Sequence, residues 1–260
     1  MSHLDSIRDD AAYAEILANW DAGFYAKFTD ALKQTRPGGR VLDVGCGVGQ
    51  VVAHLTAAGF EAHGVDVSEP NIRKARQLTP RCQLYDGKRL PFPDGHFAGV
   101  GALNVLEHVE APEAFLAELV RVSEPGGRVV VSSPNFYRVI GFHDYHPRMR
   151  GLGHKWRNWC RLEAKRRQMR ADPAAVRFDR MPPIIRQPFA PDDDAIVATN
   201  LLELEFGLRR QGCEIITSAC TDRYVSKLVD LLLNCTPLRY LMFNAFVVAR
   251  KASGEPGQHP

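Results

Sequence analysis

Two apolar spacings take turns along the first half of the chain. Val41, Leu42 and Val44 form a short continuous run that suits a strand buried on both faces, and Val51, Val52 and Leu55 follow at helical spacing. The alternation continues. Strands are predicted over residues 61–66, 81–85, 97–103 and 129–132, with helices over 50–58, 69–78 and 112–122 between them. Glu124-Pro125-Gly126-Gly127 predicts a turn before the fifth strand. Upstream, Tyr13, Ile16, Leu17, Trp20, Phe24, Phe28 and Leu32 recur at helical spacing and predict one or two helices over residues 9–34. Downstream, a helix over 201–210 with Asn200 as its cap precedes strands at 214–218 and 243–249, with a helix near 224–233 between them. Strands and helices in this order imply a parallel sheet covered on both faces.

Glycines crowd the first strand–helix junction. Val41-Leu42-Asp43-Val44 runs straight into Gly45-Cys46-Gly47-Val48-Gly49, and the next helix begins at once. Such a loop lets backbone approach a ligand closely, with a helix N-terminus behind it. Asp43 sharpens the reading, because a carboxylate there repels a pyrophosphate and suits an amine or sulfonium cation. A dinucleotide fingerprint needs glycine at position 50, where the chain has Gln50.

With Gly64-Val65-Asp66-Val67-Ser68, Leu90-Pro91-Phe92-Pro93-Asp94-Gly95-His96-Phe97 and Val105-Leu106-Glu107-His108-Val109 following in order, the chain resembles the class I S-adenosylmethionine-dependent methyltransferases of the small-molecule, ubiquinone-biosynthesis-like branch. The resemblance covers residues 40–135. It implies an α/β, Rossmann-like, doubly wound sheet of seven mostly parallel strands with an antiparallel last strand. An N-terminal helical segment and a basic helical insert are added to this frame. It also implies a site. Asp43, Gly45, Cys46, Gly47 and Gly49 would hold the methionine part of S-adenosylmethionine. Asp66 would hold the ribose, Val67 the adenine face, and Asp86 with Gly87 its edge, while Asn104 and Leu106 would line the pocket. S-adenosylhomocysteine would be the product. The chain departs from the family at Phe97-Ala98, where Phe-Asp is usual.

One methyltransferase domain is expected to fill the chain. Its parts are a helical cover (1–36), a donor-binding half (37–135), a basic acceptor or lid insert (136–195), a helix–strand part (196–252) and a disordered tail (253–260). No basic leader, no long uncharged apolar run and no paired cysteine spacing occur, so a cytoplasmic protein with reduced cysteines is expected. Cys46 reads as a packing residue. Charge is distributed unevenly. The chain carries +3 overall, yet residues 138–186 hold 13 Lys or Arg against 4 Asp or Glu, leaving 20 basic and 26 acidic residues elsewhere. Within that stretch residues 155–170 read as an amphipathic helix, with Trp156, Trp159, Leu162 and Met169 on its apolar side.

Methyl transfer to a hydroxyl needs a proton acceptor, and histidine serves near neutral pH. His108 follows the fourth strand at the edge where open sheets bind ligands. His143 and His146 flank Asp144 and Tyr145 just past the fifth strand. These three histidines are the catalytic candidates. A divalent metal held by the His143–His146 cluster with Glu107 and His108 is possible but not expected, and Asp192-Asp193-Asp194, a second acidic candidate, reads as a solvated turn. The chain lacks an Asn/Asp-Pro-Pro-aromatic loop and a Pro-Cys nucleophile after strand four, which argues against base methylation. The leading expectation is O-methylation of a polar or anionic small molecule or saccharide, with nucleic acid disfavoured and contact with a membrane surface left open. An RNA methyltransferase and a non-catalytic donor-binding member remain as alternatives.

Overall fold

The computed structural model describes residues 21–141, 144, 146–186 and 192–254. Its helices are α1 (Ala22–Lys33), α2 (Gln50–Ala57), α3 (Glu69–Leu78), α4 (Pro112–Val122), α5 (Leu152–Ala171), α6 (Leu201–Arg210) and α7 (Lys227–Asn234). Its strands are β1 (Arg40–Val44), β2 (Glu61–Asp66), β3 (Cys82–Leu84), β4 (Phe97–Leu103), β5 (Ser123–Pro134), β6 (Cys213–Ala219) and β7 (Asn244–Lys251). One seven-stranded sheet runs in the order β3-β2-β1-β4-β5-β7-β6, with β7 antiparallel to both neighbours and the other pairs parallel. This is the doubly wound frame expected.

Period-two alternation assigns the strand residues to two cores. Leu42 and Val44, Val129 and Val131, and Ala245, Val247 and Ala249 pack with Leu116 and Leu119 of α4 and Leu201, Leu204 and Leu208 of α6. Val41, Ala62, Val130, Phe246 and Val248 pack on the other face with Phe28 and Leu32 of α1, Val52 and Leu55 of α2, and Ile72 of α3. The chain crosses from β3 back to β4 beside β1, and the carboxyl ends of the five parallel strands β1 to β5 lie along one edge. That edge carries the glycine loop.

Small residues in β4 let α1 lie close. A Cβ at Gly101 would stand 2.5 Å from Phe28 Cζ, and one at Gly99 2.9 Å from Thr35 Cγ2. The Leu90–Phe97 motif is a clamped loop. Arg121 donates to the carbonyls of Leu90 (3.0 Å) and Phe92 (2.9 Å) while pairing with Glu118 and Asp94 at 2.7 Å each. Glu118 Oε2 accepts from the Leu90 amide at 2.9 Å.

Two expectations change. Residues 124–127 bulge out of a continuous β5, since Phe97 and Gly99 of β4 face Ser123 and Arg128. The larger correction concerns α5. Its buried residues are Asn158, Leu162 and Lys165, while Trp156 and Trp159 face outward. Asn158 Nδ2 donates to the carbonyls of Phe136 (3.1 Å), Arg138 (3.1 Å) and Arg148 (3.3 Å). Lys165 meets Asp179 and Glu203 at 2.7 Å each. Polar anchoring therefore orients this helix. Leu162 joins Phe136, Tyr137, Met149 and Met181 in a separate small core. Residues 9–20 of the expected N-terminal helices, and 255–260 of the expected tail, lie outside the described residues.

Gly101→Ala should destabilise the chain by about 1–3 kcal/mol, because the added methyl overlaps a buried ring. Gly153→Ala in α5 meets nothing within 4 Å and should stabilise it by up to about 1 kcal/mol. Urea denaturation of the two variants beside the parent checks both signs.

Candidate active site

The loop after β1 is pinned to β2. The amides of Gly45 and Cys46 both donate to the carbonyl of Val65, at 2.8 and 3.0 Å. Gly45, Gly47 and Gly49 hold φ of 76°, 52° and 81°, the left-handed region that side chains resist. At Gly45 a Cβ would also fall 2.3 Å from Val105 Cγ2, so this backbone reaches its place only without a side chain. Gly49 caps α2, whose N-terminus closes the back of the loop.

Asp66, at the end of β2, draws the pieces together. Its Oδ2 accepts from the Gly47 amide at 2.9 Å, and its Oδ1 from the Ser68 amide at 2.8 Å and from Asn71 Nδ2 at 3.3 Å. Asp43 is buried beneath the same loop. Burial, helped by the nearby charge of Asp66, pushes its carboxyl up to about 8. The field of Asp43 also reaches Tyr25 of α1, whose phenol is raised first by burial and then by that carboxylate. A cation brought to this cradle would restore ionisation to Asp43.

Val67 is 61% exposed beside the cradle, and a Cβ on Gly87 would lie 3.2 Å from its Cγ1. An open apolar side chain next to a glycine leaves a platform for a flat ring. Positive-φ glycines, a buried carboxylate needing a cation and this platform together fit a nucleoside ligand with a cationic tail. Other candidates separate. Cys46 is buried, its thiol raised by Cys82 and by burial, and it fills space. Asp86 is fully exposed and accepts from the Lys88 and Arg89 amides at 2.8 and 3.0 Å, which holds its carboxyl below the usual range. Asn104 occupies φ 53° just beyond β4, a backbone state rare for a residue with a side chain. Leu106 is fully buried in the main core, so its side chain backs the edge instead of lining a pocket.

The second cluster sits at the end of β4. Glu107 has no exposed surface. Its Oε2 accepts from Ser133 Oγ at 2.7 Å, and its carbonyl accepts from the amides of Ile196 (2.8 Å) and Val197 (3.0 Å). Burial raises its carboxyl to about 7, with His108 pulling the other way. His108 keeps 26% of its side chain exposed, with Nδ1 3.4 Å from Asp194 Oδ1 and Nε2 3.9 Å from Glu107 Oε1. Asp192, at φ 62°, completes the group, and ligand-capable atoms of Glu107, His108 and Asp192 lie within 4.8 Å of one another. Two carboxylates around an imidazole could share a proton or hold a hard divalent ion.

Three sequence expectations need revision here. Asp192-Asp193-Asp194 is not a solvated turn. Asp193 and Asp194 are buried, Asp193 bonding Arg186 Nε and Nη2 at 2.6 and 2.8 Å while Asp194 faces His108. His146 is buried against the edge of the Phe136 ring, 5.0 Å between centroids, and its Nδ1 accepts from the Arg148 amide at 3.3 Å. Burial, then Arg148, lowers it to about 4, so it is a neutral structural cap and not a base at the mouth. The basic stretch spends many of its cations internally, Arg138 and Lys155 on Asp144, Lys165 on Asp179 and Glu203, and Arg186 on Asp193. His143 lies outside the described residues. Asp192 and Asp194 as partners of His108 were missed, because no local spacing ties position 108 to 194.

Comparison with known proteins agrees with the frame. Residues 17–172 match the profile of a family described as a methyltransferase domain. An uncharacterized methyltransferase of Mycobacterium sp. (strain KMS) is 37% identical over 139 residues, covering 52% of this chain and 55% of that protein. A 2-methyl-6-phytyl-1,4-hydroquinone methyltransferase of Synechocystis sp. is 32% identical over 137 residues, covering 50% and 40%. The chain thus spans about half the length of the curated relatives it matches. Among solved structures, an S-adenosylmethionine-dependent methyltransferase from Mesorhizobium loti aligns over 88% of this chain and 98% of its own, with TM-score 0.57 and 16% identity. The [4+2]-cyclase SpnF aligns over 88% and 82%, with TM-score 0.51 and 22% identity. Likeness at that identity speaks for the fold.

Asp43 and Glu107 give the ligand-free chain a defined pH response. Both carboxyls are raised by folding, from 3.8 to about 8 and from 4.5 to about 7. The folded state therefore keeps protons that the unfolded chain has lost. Their contribution is most favourable below about pH 4 and is lost as pH rises through 8. Asp43→Asn should raise the melting temperature at pH 8 by at least about 3 °C and flatten its fall between pH 5 and 8. Thermal melts of parent and variant across that range test it.

Proposed function

Because the chain belongs to the methyltransferase-domain family, whose cofactor is S-adenosylmethionine, we propose that it methylates a small-molecule acceptor whose hydroxyl loses its proton to His108. When bound, the cofactor supplies a methyl group activated on a sulfonium centre. The chain's own work is to hold, align and deprotonate. Asp43 and the Gly45–Gly49 loop receive the cationic methionine end, Asp66 the ribose hydroxyls, and Val67 with Gly87 the adenine. Asn104 directly follows β4, its amide donating to the Ser132 carbonyl at 2.9 Å, three residues before Glu107.

The observation that carries the reading is the placement of His108. Asp194 Oδ1 stands 3.4 Å from the buried Nδ1, a charge contact without a hydrogen bond, on the side of the ring away from Nε2, which is left for the acceptor. At 3.9 Å, Glu107 Oε1 is too far from Nε2 for a hydrogen bond and leaves that nitrogen open to an acceptor. Aligning the acceptor oxygen in a site closed to water supplies much of the remaining rate. A hydroxyl on a polar small molecule or saccharide suits this arrangement.

A second reading follows from the relatives. The hydroquinone methyltransferase, and a ubiquinone/menaquinone biosynthesis C-methyltransferase of Burkholderia mallei that is 39% identical over 114 residues, are named for quinone-type acceptors. On a hydroquinone the same base would deprotonate the ring hydroxyl and direct methylation to carbon. RNA is less favoured, because the insert turns several cations inward onto carboxylates.

Asp66→Ala should weaken S-adenosylhomocysteine binding by about 1–3 kcal/mol, read by calorimetry. An unchanged dissociation constant removes Asp66 from the site. His108→Asn should keep that affinity and lower methyl transfer at pH 7 by about 10²–10⁴-fold. Transfer is followed with radiolabelled S-adenosylmethionine and fractionated cell extract, with nuclease and glycosidase arms. Label in a low-mass or glycosidase-sensitive fraction supports the polar acceptor, and lipid-extractable label the quinone reading. Label lost to RNase, or full activity in His108→Asn, defeats the proposal.

A further inference from the structure

The outward side of α5 has no part in the site described above. Leu152, Trp156, Cys160 and Ala164 follow one another at intervals of four residues, and all four are exposed, Leu152 at 87% and Trp156 at 68%. Residues four apart share one face of a helix. The opposite face buries Asn158 and Lys165 beside Leu162. Polar anchors thus point into the protein and an apolar stripe points away from it, the reverse of an ordinary surface helix. Arg157 stands exposed beside the stripe, Arg167 and Arg170 continue its face toward the end of the helix, and none of the three forms an ion pair among the described residues. Glu163, the acid of this helix, is held by Arg166.

We propose that this face docks on an anionic lipid surface, with Leu152 and Trp156 at the boundary of headgroups and acyl chains and Arg157, Arg167 and Arg170 on lipid phosphates. Tryptophan, with an apolar body and one polar edge, suits that boundary, and arginine extends a long stem with its charge kept in the headgroup layer. Anionic lipid adds attraction for each cation near the surface. No described helix is long and apolar enough to cross a membrane, so the contact lies along the surface. Single-stranded nucleic acid would use the arginines and the indole, but would leave Leu152, Cys160 and Ala164 without apolar partners.

A neighbouring element exposes further apolar side chains. Leu228, Leu231 and Leu232 of α7 are all more than half exposed. The turn Pro237–Tyr240 after α7 meets α5, with the Arg166 guanidinium 5.6 Å from the centre of the Tyr240 ring. The proposal does not depend on the reaction assigned above.

The test is co-sedimentation of the full chain with vesicles of phosphatidylcholine alone and with phosphatidylglycerol added, at low and moderate salt. Preference for the anionic vesicles, weakening with salt and accompanied by a blue shift of tryptophan emission, is expected. Leu152→Ser with Trp156→Ser should lower partitioning by at least about tenfold. Replacing Arg157, Arg167 and Arg170 by Gln should cost roughly fivefold for each arginine on anionic vesicles and little on neutral ones. All five side chains are exposed, and circular dichroism with S-adenosylhomocysteine binding verifies that both variants fold. Absence of vesicle binding, or binding unchanged in both variants, overturns the proposal. So does tight binding of a single-stranded RNA oligonucleotide by a chain that ignores vesicles.

Discussion

Glu107 holds the two halves of this protein together. Its backbone carbonyl takes the amides of Ile196 and Val197, and its buried carboxylate takes Ser133 Oγ, which also reaches Thr199 Oγ1 at 2.9 Å. One residue in the turn Leu106–His108 after β4 therefore ties β4 to the end of β5 and to the segment that returns from the basic insert. Burying a carboxylate costs free energy, and a single hydroxyl does not repay it, which is why its proton is held up to about 7. The neighbourhood of His108 follows from this anchor. Because residues 196 and 197 are hydrogen-bonded to position 107, the preceding Asp192, Asp193 and Asp194 fall beside the imidazole that follows it.

The charge asymmetry of the chain resolves into two populations. Arg138, Lys155, Lys165 and Arg186 face inward or sideways onto Asp144, Asp179, Glu203 and Asp193, where they fasten the insert to its own small core and to α6. Charged anchors of this kind specify a geometry more than they stabilise it, since each ion surrenders hydration to form the pair. Arg157, Arg167 and Arg170 remain outside on α5. A net charge of +9 over residues 138–186 is thus partly a structural device and partly a surface.

What was legible in the sequence is what local physics decides. The glycine loop could be read because positive φ and close backbone approach demand glycine at Gly45, Gly47 and Gly49, and the strands could be read because buried parallel strands leave continuous apolar runs. Helix α6 was marked at its start by Asn200, whose Oδ1 accepts from the Glu203 amide at 2.9 Å. The misread parts are those where burial is decided by distant chain. Three consecutive aspartates look solvated until Arg186 and His108 are brought to them. Trp156 and Trp159 look like a core face until Asn158 finds three carbonyls to satisfy. His146 looks like a loop base until Phe136 covers it. In each case a polar group found its partner across the fold, and no periodicity records that.

The frame itself constrains the chemistry only weakly. A cyclase and methyltransferases share it, as expected when a sheet edge binds a nucleoside and the loops beyond it choose the reaction. For this chain the proposed choice rests on two carboxylate environments of unlike character. Asp43 lies under the glycine loop, buried and with no cation paired to it among the described residues, a setting that suits a positively charged ligand. Glu107 lies just beyond β4 beside the His108 imidazole, which also has Asp194 Oδ1 at 3.4 Å, the setting in which the proposed proton acceptor stands. Both stand at the carboxyl edge of adjacent parallel strands, which places a cation-seeking cradle next to a proton acceptor. A methyl donor with a cationic tail and an acceptor that must lose a proton make complementary demands on such an edge. That complementarity, more than the fold, is the physical ground for the proposal that this methyltransferase-family chain uses a base.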